Sequence, residues 1–188
     1  MAKPCLTEFA AQRRHLLESS LVALLAEKSF QEISVKDICC QADIPRRTFY
    51  HYFDNKNDVL ESLVSTMMMD CFLYVIFDVR MGMDSMRRSF EKVFQFWQGE
   101  NRRRLDCLIR NGLESQLMTS ALQWLREEKL GALQNSDLDP KLVEIGLMVG
   151  VTDFFTLLFY WSRSGYQETP EQMAEYAIWV LPQAFFNL

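Results

Sequence analysis

"ISVKDICCQADIPRRTFYHYFDNK", residues 33–56, decides how this chain is read. Ser34 is followed three residues later by Asp37, which is the pattern of a side-chain N-cap with an acid near the helix N-terminus. The segment VKDICCQA behind it places Val35, Ile38 and Cys39 on one face of a short helix. The triplet ADI then predicts a tight turn, because Asp43 tolerates the left-handed backbone that such a turn requires. Pro45 fits the first turn of a new helix, where a missing N–H costs little. That helix, RRTFYHYF, is only two turns long and makes a poor core element on its own. Two short helices joined by a tight turn, after a longer first helix, form a helix-turn-helix. The second helix of such a unit enters the major groove of duplex DNA.

Helical periodicity extends outward in both directions. From Phe9, apolar residues recur at Leu16, Leu17, Leu21, Leu24 and Leu25, one helix face, until KSFQEIS breaks the pattern. DNKND caps a longer helix from Lys56 to about Val79, interrupted by RMGMD. Further helices are expected over roughly 84–98 (Met86, Phe90, Val93, Phe94 and Trp97 on one face), 101–111 and 113–130. GALQNSDLDP reads as a loop, Pro140 to about Ser164 as a long apolar helix, SGYQETP as a turn, and Pro170 as the start of the last helix. Alternating runs with hairpin turns are nearly absent. The expected fold is all-α, with about nine helices: a helix-turn-helix domain at 1–56 and a larger helical domain at 57–188.

The charge is unevenly distributed. Residues 1–56 hold eight Lys/Arg and seven Asp/Glu, net +1, whereas 57–188 hold twelve and eighteen, net −6. Only the first part is not repelled by a polyanion. Five cysteines without framework spacing suggest reduced thiols in a cytoplasm. Adjacent Cys39 and Cys40 with two histidines make zinc a poor fit. They also raise a redox sensor, which needs an accessible thiol of lowered pKa. The start lacks the apolar stretch of a signal peptide. IGLMVGVTDFFTLLFYW, residues 145–161, has the composition of a membrane span, but it is short and holds Asp153 mid-run, so a buried helix of a helical protein is the better reading. No Ser-His-Asp set, Gly-rich phosphate loop or metal cluster is visible, which argues against an enzyme, and no cofactor is implied.

The stretch ISVKDICCQADIPRRTFYHYFDNKNDVLESLV resembles the DNA-binding domain of the TetR family of bacterial transcriptional regulators, over roughly residues 8–64. The all-helical remainder is similar in layout to that family's ligand-binding and dimerisation domain. The resemblance implies DNA contacts from Ser34 and Lys36, from Pro45, Arg46, Arg47 and Thr48 at the start of the recognition helix, from Tyr50, His51 and Tyr52 within it, and from Lys56 after it. Arg46 and Arg47 are candidates for reading guanine, the commonest specific contact of arginine. Tyr50 and Tyr52 serve either phosphates or packing, and His51 is as open to having no role. Lys56 would meet a phosphate, so that its loss weakens binding to all sequences alike. Asp43 departs from the family's usual Gly, and Asp54 from a basic residue. Phe49 and Phe53 are assigned to the small core.

In the second domain, methionine and aromatic residues suit either plain core or an adaptable pocket. Candidate ligand contacts are Met68, Phe72, Phe90, Phe94, Trp97, Leu108, Met118, Trp124 and Phe155, with Met67 and Met69 beside them. The aromatic, acidic half suggests a small apolar or cationic effector. The last two helices would pair across a homodimer through Gly146, Gly150, Phe154, Leu158, Trp161, Met173, Ala177, Val180 and Leu181. Asp153 fits a cross-dimer arginine pair, a cationic ligand or a solvent-facing bend. The partners expected are thus a palindromic duplex, a second copy and a small apolar or cationic effector, with no membrane. The leading reading is a dimeric repressor released by that effector, and the alternative is a similar regulator controlled by a protein partner.

Overall fold

The computed structural model describes residues 8–74, 83–99, 101–124 and 139–180. Among these residues there are nine α-helices, one 3-10 turn and no strand. The helices are α1 Glu8–Leu25, α2 Val35–Ala42, α3 Arg46–Tyr52, α4 Lys56–Tyr74, α5 Met83–Gln98, α6 Arg102–Arg110, α7 Glu114–Trp124, α8 Pro140–Arg163 and α9 Pro170–Val180, with the 3-10 turn at Phe30–Glu32. The breaks near 75–82, the loop at 131–138 and Leu181 lie outside the described residues.

The head is α1 to α3 around a small core of Leu17, Leu21, Ile33, Ile38, Phe49 and Phe53, all buried. The expected apolar face of α1 holds from Leu17 to Leu25, but Phe9 and Leu16 face solvent, while Glu18 and Ser20 turn inward. Both polar groups find partners, as buried polar groups must. Ser20 Oγ donates to the Leu16 carbonyl at 2.8 Å, and Glu18 Oε1 accepts from Ser62 Oγ of α4 at 2.6 Å. Burial pushes the Glu18 carboxyl above the usual range, against the pull of Ser62 and of His15, Arg14 and Arg104.

Helix α4 follows the helix-turn-helix and packs on α1, α5 and α7, so it touches both the head and the helices beyond it. The body core follows the α5 pattern read from sequence: Met86, Phe90, Val93, Phe94 and Trp97 are all buried, with Phe155, Leu158 and Trp161 of α8 and Met173, Ala174 and Ala177 of α9. Phe94 meets Trp161 edge-on at 5.4 Å between ring centres. An ion pair, Arg87 Nε to Glu175 Oε1 at 2.8 Å, ties α9 to α5. Asn111, just past α6, joins body to head: its Nδ2 donates to the Leu25 carbonyl at 3.1 Å and its Oδ1 accepts from the Phe30 N–H at 2.9 Å.

The long helix α8 differs from the sequence expectation. It is not a fully buried helix: the stretch Glu144–Arg163 is long and apolar enough to cross a membrane by composition, yet only 29% of its most apolar window is buried inside the chain. Leu158 and Trp161 fill the chain's own core, as do Met173 and Ala177 of α9, so these four cannot serve as the dimer contacts expected of them. Gly150 is likewise buried, whereas Gly146 and Phe154 are half-buried. The apolar side chains that do face outward are Leu142 (63% exposed), Ile145, Met148, Val149 and Tyr160 of α8, with Tyr176, Trp179 (87%) and Val180 of α9. Both faces of α8 are apolar, so periodicity alone does not separate the inward from the outward one.

Candidate nucleic-acid interface

The helix-turn-helix is built by local chemistry at each junction. Ser34 and Asp37 form a full capping box: Ser34 Oγ accepts from the Asp37 N–H at 3.2 Å, and Asp37 Oδ2 accepts from the Ser34 N–H at 2.8 Å and the Ser34 hydroxyl at 2.7 Å. Lys28 Nζ stands 3.1 Å from the same carboxylate. The Ser34 hydrogen bonds hold the Asp37 carboxyl down at about 2, with Lys28 adding to them. The Ser34 hydroxyl is thus spent on the cap, which leaves the helix end rather than the side chain to approach a phosphate.

Asp43 ends α2 in the left-handed conformation, at φ 50° and ψ 45°, as the turn requires. The next N–H, of Ile44, donates to the Cys39 carbonyl at 3.0 Å and so satisfies a carbonyl at the helix end. Ile44 itself is buried and pins the turn to the core, a role the sequence reading did not assign. Pro45 is the N-cap residue of α3, one position earlier than expected. Phe49 and Phe53 are fully buried, 5.9 Å apart between ring centres, and lock α3 from beneath.

With the aromatics turned in, the other side of α3 is presented to solvent. Lys36, Pro45, Arg46, Arg47, Tyr50 and His51 are exposed, while Thr48 and Tyr52 are half-buried. Arg46 Nη2 donates to the Tyr50 hydroxyl at 3.3 Å, with the guanidinium 5.9 Å from the Tyr50 ring centre, so the two side chains form one unit. His51 rests edge-on against Tyr52 at 5.2 Å. This surface can donate hydrogen bonds from two guanidiniums to base edges and from hydroxyls to phosphates.

Lys56 is placed differently from its expected role. Its Nζ donates to the carbonyls of Phe30 at 2.7 Å, Gln31 at 3.0 Å and Ile33 at 2.7 Å, and lies 4.8 Å from the Phe30 ring centre. The ammonium is directed at three carbonyls at the end of the 3-10 turn, so Lys56 acts as a clamp between that turn and α4. Sequence gave no signal for this, because the three carbonyls lie 23 to 26 residues away.

Of the candidate ligand residues in the body, Met68, Phe90, Phe94, Trp97, Leu108 and Phe155 are buried in the packed core, and Met118 is packed against it. The side chains of Phe72 and Trp124 are outside the described residues. Of two surface pockets, of about 750 and 420 Å³, the first is lined by none of the candidate residues and the second by Met69 alone, beside the polar Arg14, Glu61, Ser62 and Thr66. The thiols do not form a sensing pair. Cys39 is buried and Cys40 exposed, and burial pushes the Cys39 thiol up, away from the thiolate that a sensor needs.

Residues 19–63 match the family model described as bacterial regulatory proteins, tetR family. No curated protein matches the chain. Among solved structures, the fatty acid degradation regulator FadR from Bacillus halodurans is similar, at a TM-score of 0.58 and 16% identity over 90% of this chain and 94% of that one. The TetR family repressor AlkX from Dietzia sp., implicated in biodegradation of n-alkanes, has a TM-score of 0.57 and 14% identity over 93% and 96%. The dihydroxyacetone kinase operon activator DhaS has a TM-score of 0.57 and 16% identity over 90% and 93%. Identities this low carry the fold alone. That fold serves a repressor and an activator, so it does not set the sign of regulation.

Proposed function

We propose that this chain, a TetR-family DNA-binding regulator by its N-terminal domain, acts as a homodimeric repressor on a palindromic operator and is released by a small-molecule effector. The observation that carries the reading is the outward face of α3, where Arg46 and Arg47 open a two-turn helix locked from beneath by buried Phe49 and Phe53. Two such helices related by a two-fold axis reach successive major grooves when they stand about 34–36 Å apart.

Support for the dimer comes from the outward apolar residues of α8 and α9. Thr152 and Thr156, exposed on α8, each donate their hydroxyl to a carbonyl of the same helix, at 2.9 and 2.8 Å, and the outward Ile145, Met148, Val149 and Tyr160 share that helix. Contiguous apolar surface of this kind marks an interface. An effector releases DNA only by binding better to a conformation in which the two heads are wrongly spaced, and α4, shared by head and body, is the natural lever.

One observation favours the alternative, a regulator controlled by a protein partner: the aromatic cluster expected to receive an apolar effector is packed as core. The test of the proposal is selection from a random duplex pool at physiological salt. A palindromic consensus supports it, and absence of enrichment at any salt overturns it. Release of the selected duplex by a protein rather than by any small molecule would favour the alternative.

A further inference from the structure

The body is acidic as a whole but not everywhere. Of the twelve Lys/Arg in residues 57–188, four lie at 102, 103, 104 and 110 and a fifth at 163. The larger pocket, of about 750 Å³, lies between α6 and the end of α8 and is lined by Arg102, Arg103, Arg110 and Arg163 against a single carboxylate, Asp106. Its volume is in the range of small-molecule sites, about 300–1,000 Å³.

The groove is organised around that carboxylate. Asp106 Oδ1 accepts from Ser162 Oγ at 2.9 Å and from the Tyr166 hydroxyl at 2.7 Å, while Arg102 Nε stands off at 3.8 Å. Two hydroxyls therefore meet most of what Asp106 demands, and the Arg102 guanidinium, 4.3 Å from the centre of the Tyr166 ring, makes a long ion pair with that carboxylate. Tyr166 is a non-glycine residue at φ 59°, following Gly165 at φ 80°. Backbone of this kind costs free energy and persists where the surroundings hold it; here it delivers the phenol to Asp106. Arg163 is bonded to Glu114 at 2.6 Å on its far side, and Arg110 donates to the Asp106 carbonyl at 3.3 Å. Asp106 and Glu114 offset two of the four guanidiniums, those of Arg102 and Arg163, whereas Arg103 and Arg110 have no ion pair among the described residues. Guanidiniums of this kind are suited to planar, bidentate recognition of a carboxylate or phosphate.

The groove also connects to the head. Arg110 lines it, and the next residue is Asn111, whose amide holds both the Leu25 carbonyl and the Phe30 N–H. We propose that this groove binds a small molecule bearing a carboxylate or phosphate group, and that its occupancy reaches the DNA-binding head through α6 and Asn111. The second half rests on the regulator reading above; the binding itself does not. The ligand chemistry is opposite to the cationic one that the overall acidic composition suggests.

Calorimetric titration of the full chain with citrate and with pyrophosphate, at constant ionic strength and with glycerol as the neutral control, tests the site. One of the two anions saturates at one per protomer, citrate indicating a carboxylate ligand and pyrophosphate a phosphate one. The Arg103→Gln/Arg110→Gln double variant weakens that binding at least ten-fold, and the exposed Arg163→Gln also weakens it; circular dichroism confirms that both remain folded. Asn111→Ala keeps anion affinity within about two-fold but removes the anion's effect on DNA binding. Absence of saturable binding by either anion, or equal binding by wild type and the double variant, overturns the site. An anion effect on DNA that survives Asn111→Ala overturns the coupling route. Anion binding by a chain that selects no DNA sequence leaves the site standing and removes the regulator reading.

Discussion

Replacing Lys56 by Met keeps the aliphatic stem and deletes the ammonium that holds three carbonyls at 2.7, 3.0 and 2.7 Å. A hydrogen bond to a charged group contributes about 1.5–3 kcal/mol. The three are not additive, because they share one ammonium, and water replaces it at Gln31, which faces solvent. The contact with the Phe30 ring adds about 0.5 kcal/mol. The expected loss is therefore about 2–3 kcal/mol, or a fall in Tm of about 4–12 °C for a chain of this length. Thermal and urea denaturation monitored by circular dichroism read it directly. Lys56→Arg recovers only part of the loss, since a planar fork does not point at three converging carbonyls. A Lys56→Met protein as stable as wild type, yet weaker on every duplex tested, would refute the clamp and restore the phosphate contact expected from sequence.

The remaining predictions follow from the same geometry. Arg47→Ala relaxes base preference at one position of each half-site, costing about 1–3 kcal/mol on the preferred duplex and far less on random DNA; equal losses on both count against a reading role. Asp43→Gly relieves a left-handed non-glycine residue and removes a negative charge beside α3, so stability holds or rises by up to about 1 kcal/mol, and affinity for nonspecific duplex increases in filter binding. The Asp37 carboxyl is depressed from the ordinary value near 3.8 to about 2, so its stabilising bonds are fully present above pH 4 and are lost as pH falls through about 2; acid titration of Asp37→Asn lacks that component. Glu18, raised by burial, has the opposite sign: its penalty grows as pH rises past the ordinary carboxylate range, so Glu18→Gln gains more Tm at pH 8 than at pH 4.5. Ile145→Glu/Trp179→Glu gives a folded monomer in sedimentation, whereas wild type sediments as a dimer.

The head was legible because its signals are local. The Ser34–Asp37 cap, the left-handed turn at Asp43 and the buried pair Phe49 and Phe53 each follow from neighbours within a few residues. The α5 face was legible for the same reason: one strongly amphipathic helix has one possible inward side. Reading failed where a residue's partner is distant in sequence. Lys56 reads as a DNA contact because its three carbonyls lie across the fold, and Asn111 carries no local signal because its partners are 81 and 86 residues away. In α8 and α9 apolar residues cover both faces, so the pattern does not separate Leu158, Trp161, Met173 and Ala177, which are core, from residues that face outward. The arginines at 102–110 were hidden in an average: net charge over 132 residues says nothing of a basic groove at one end of an acidic body.

The central claim is that two α3 helices of one dimer read one duplex. Hydroxyl-radical footprinting of the selected duplex, with wild type and with an Arg46→Ala/Arg47→Ala control, tests it most directly. The account predicts two protected patches of equal strength, centred about 10–10.5 base pairs apart or a multiple of that, both lost in the control. A single patch, or protection that survives loss of both arginines, would contradict it.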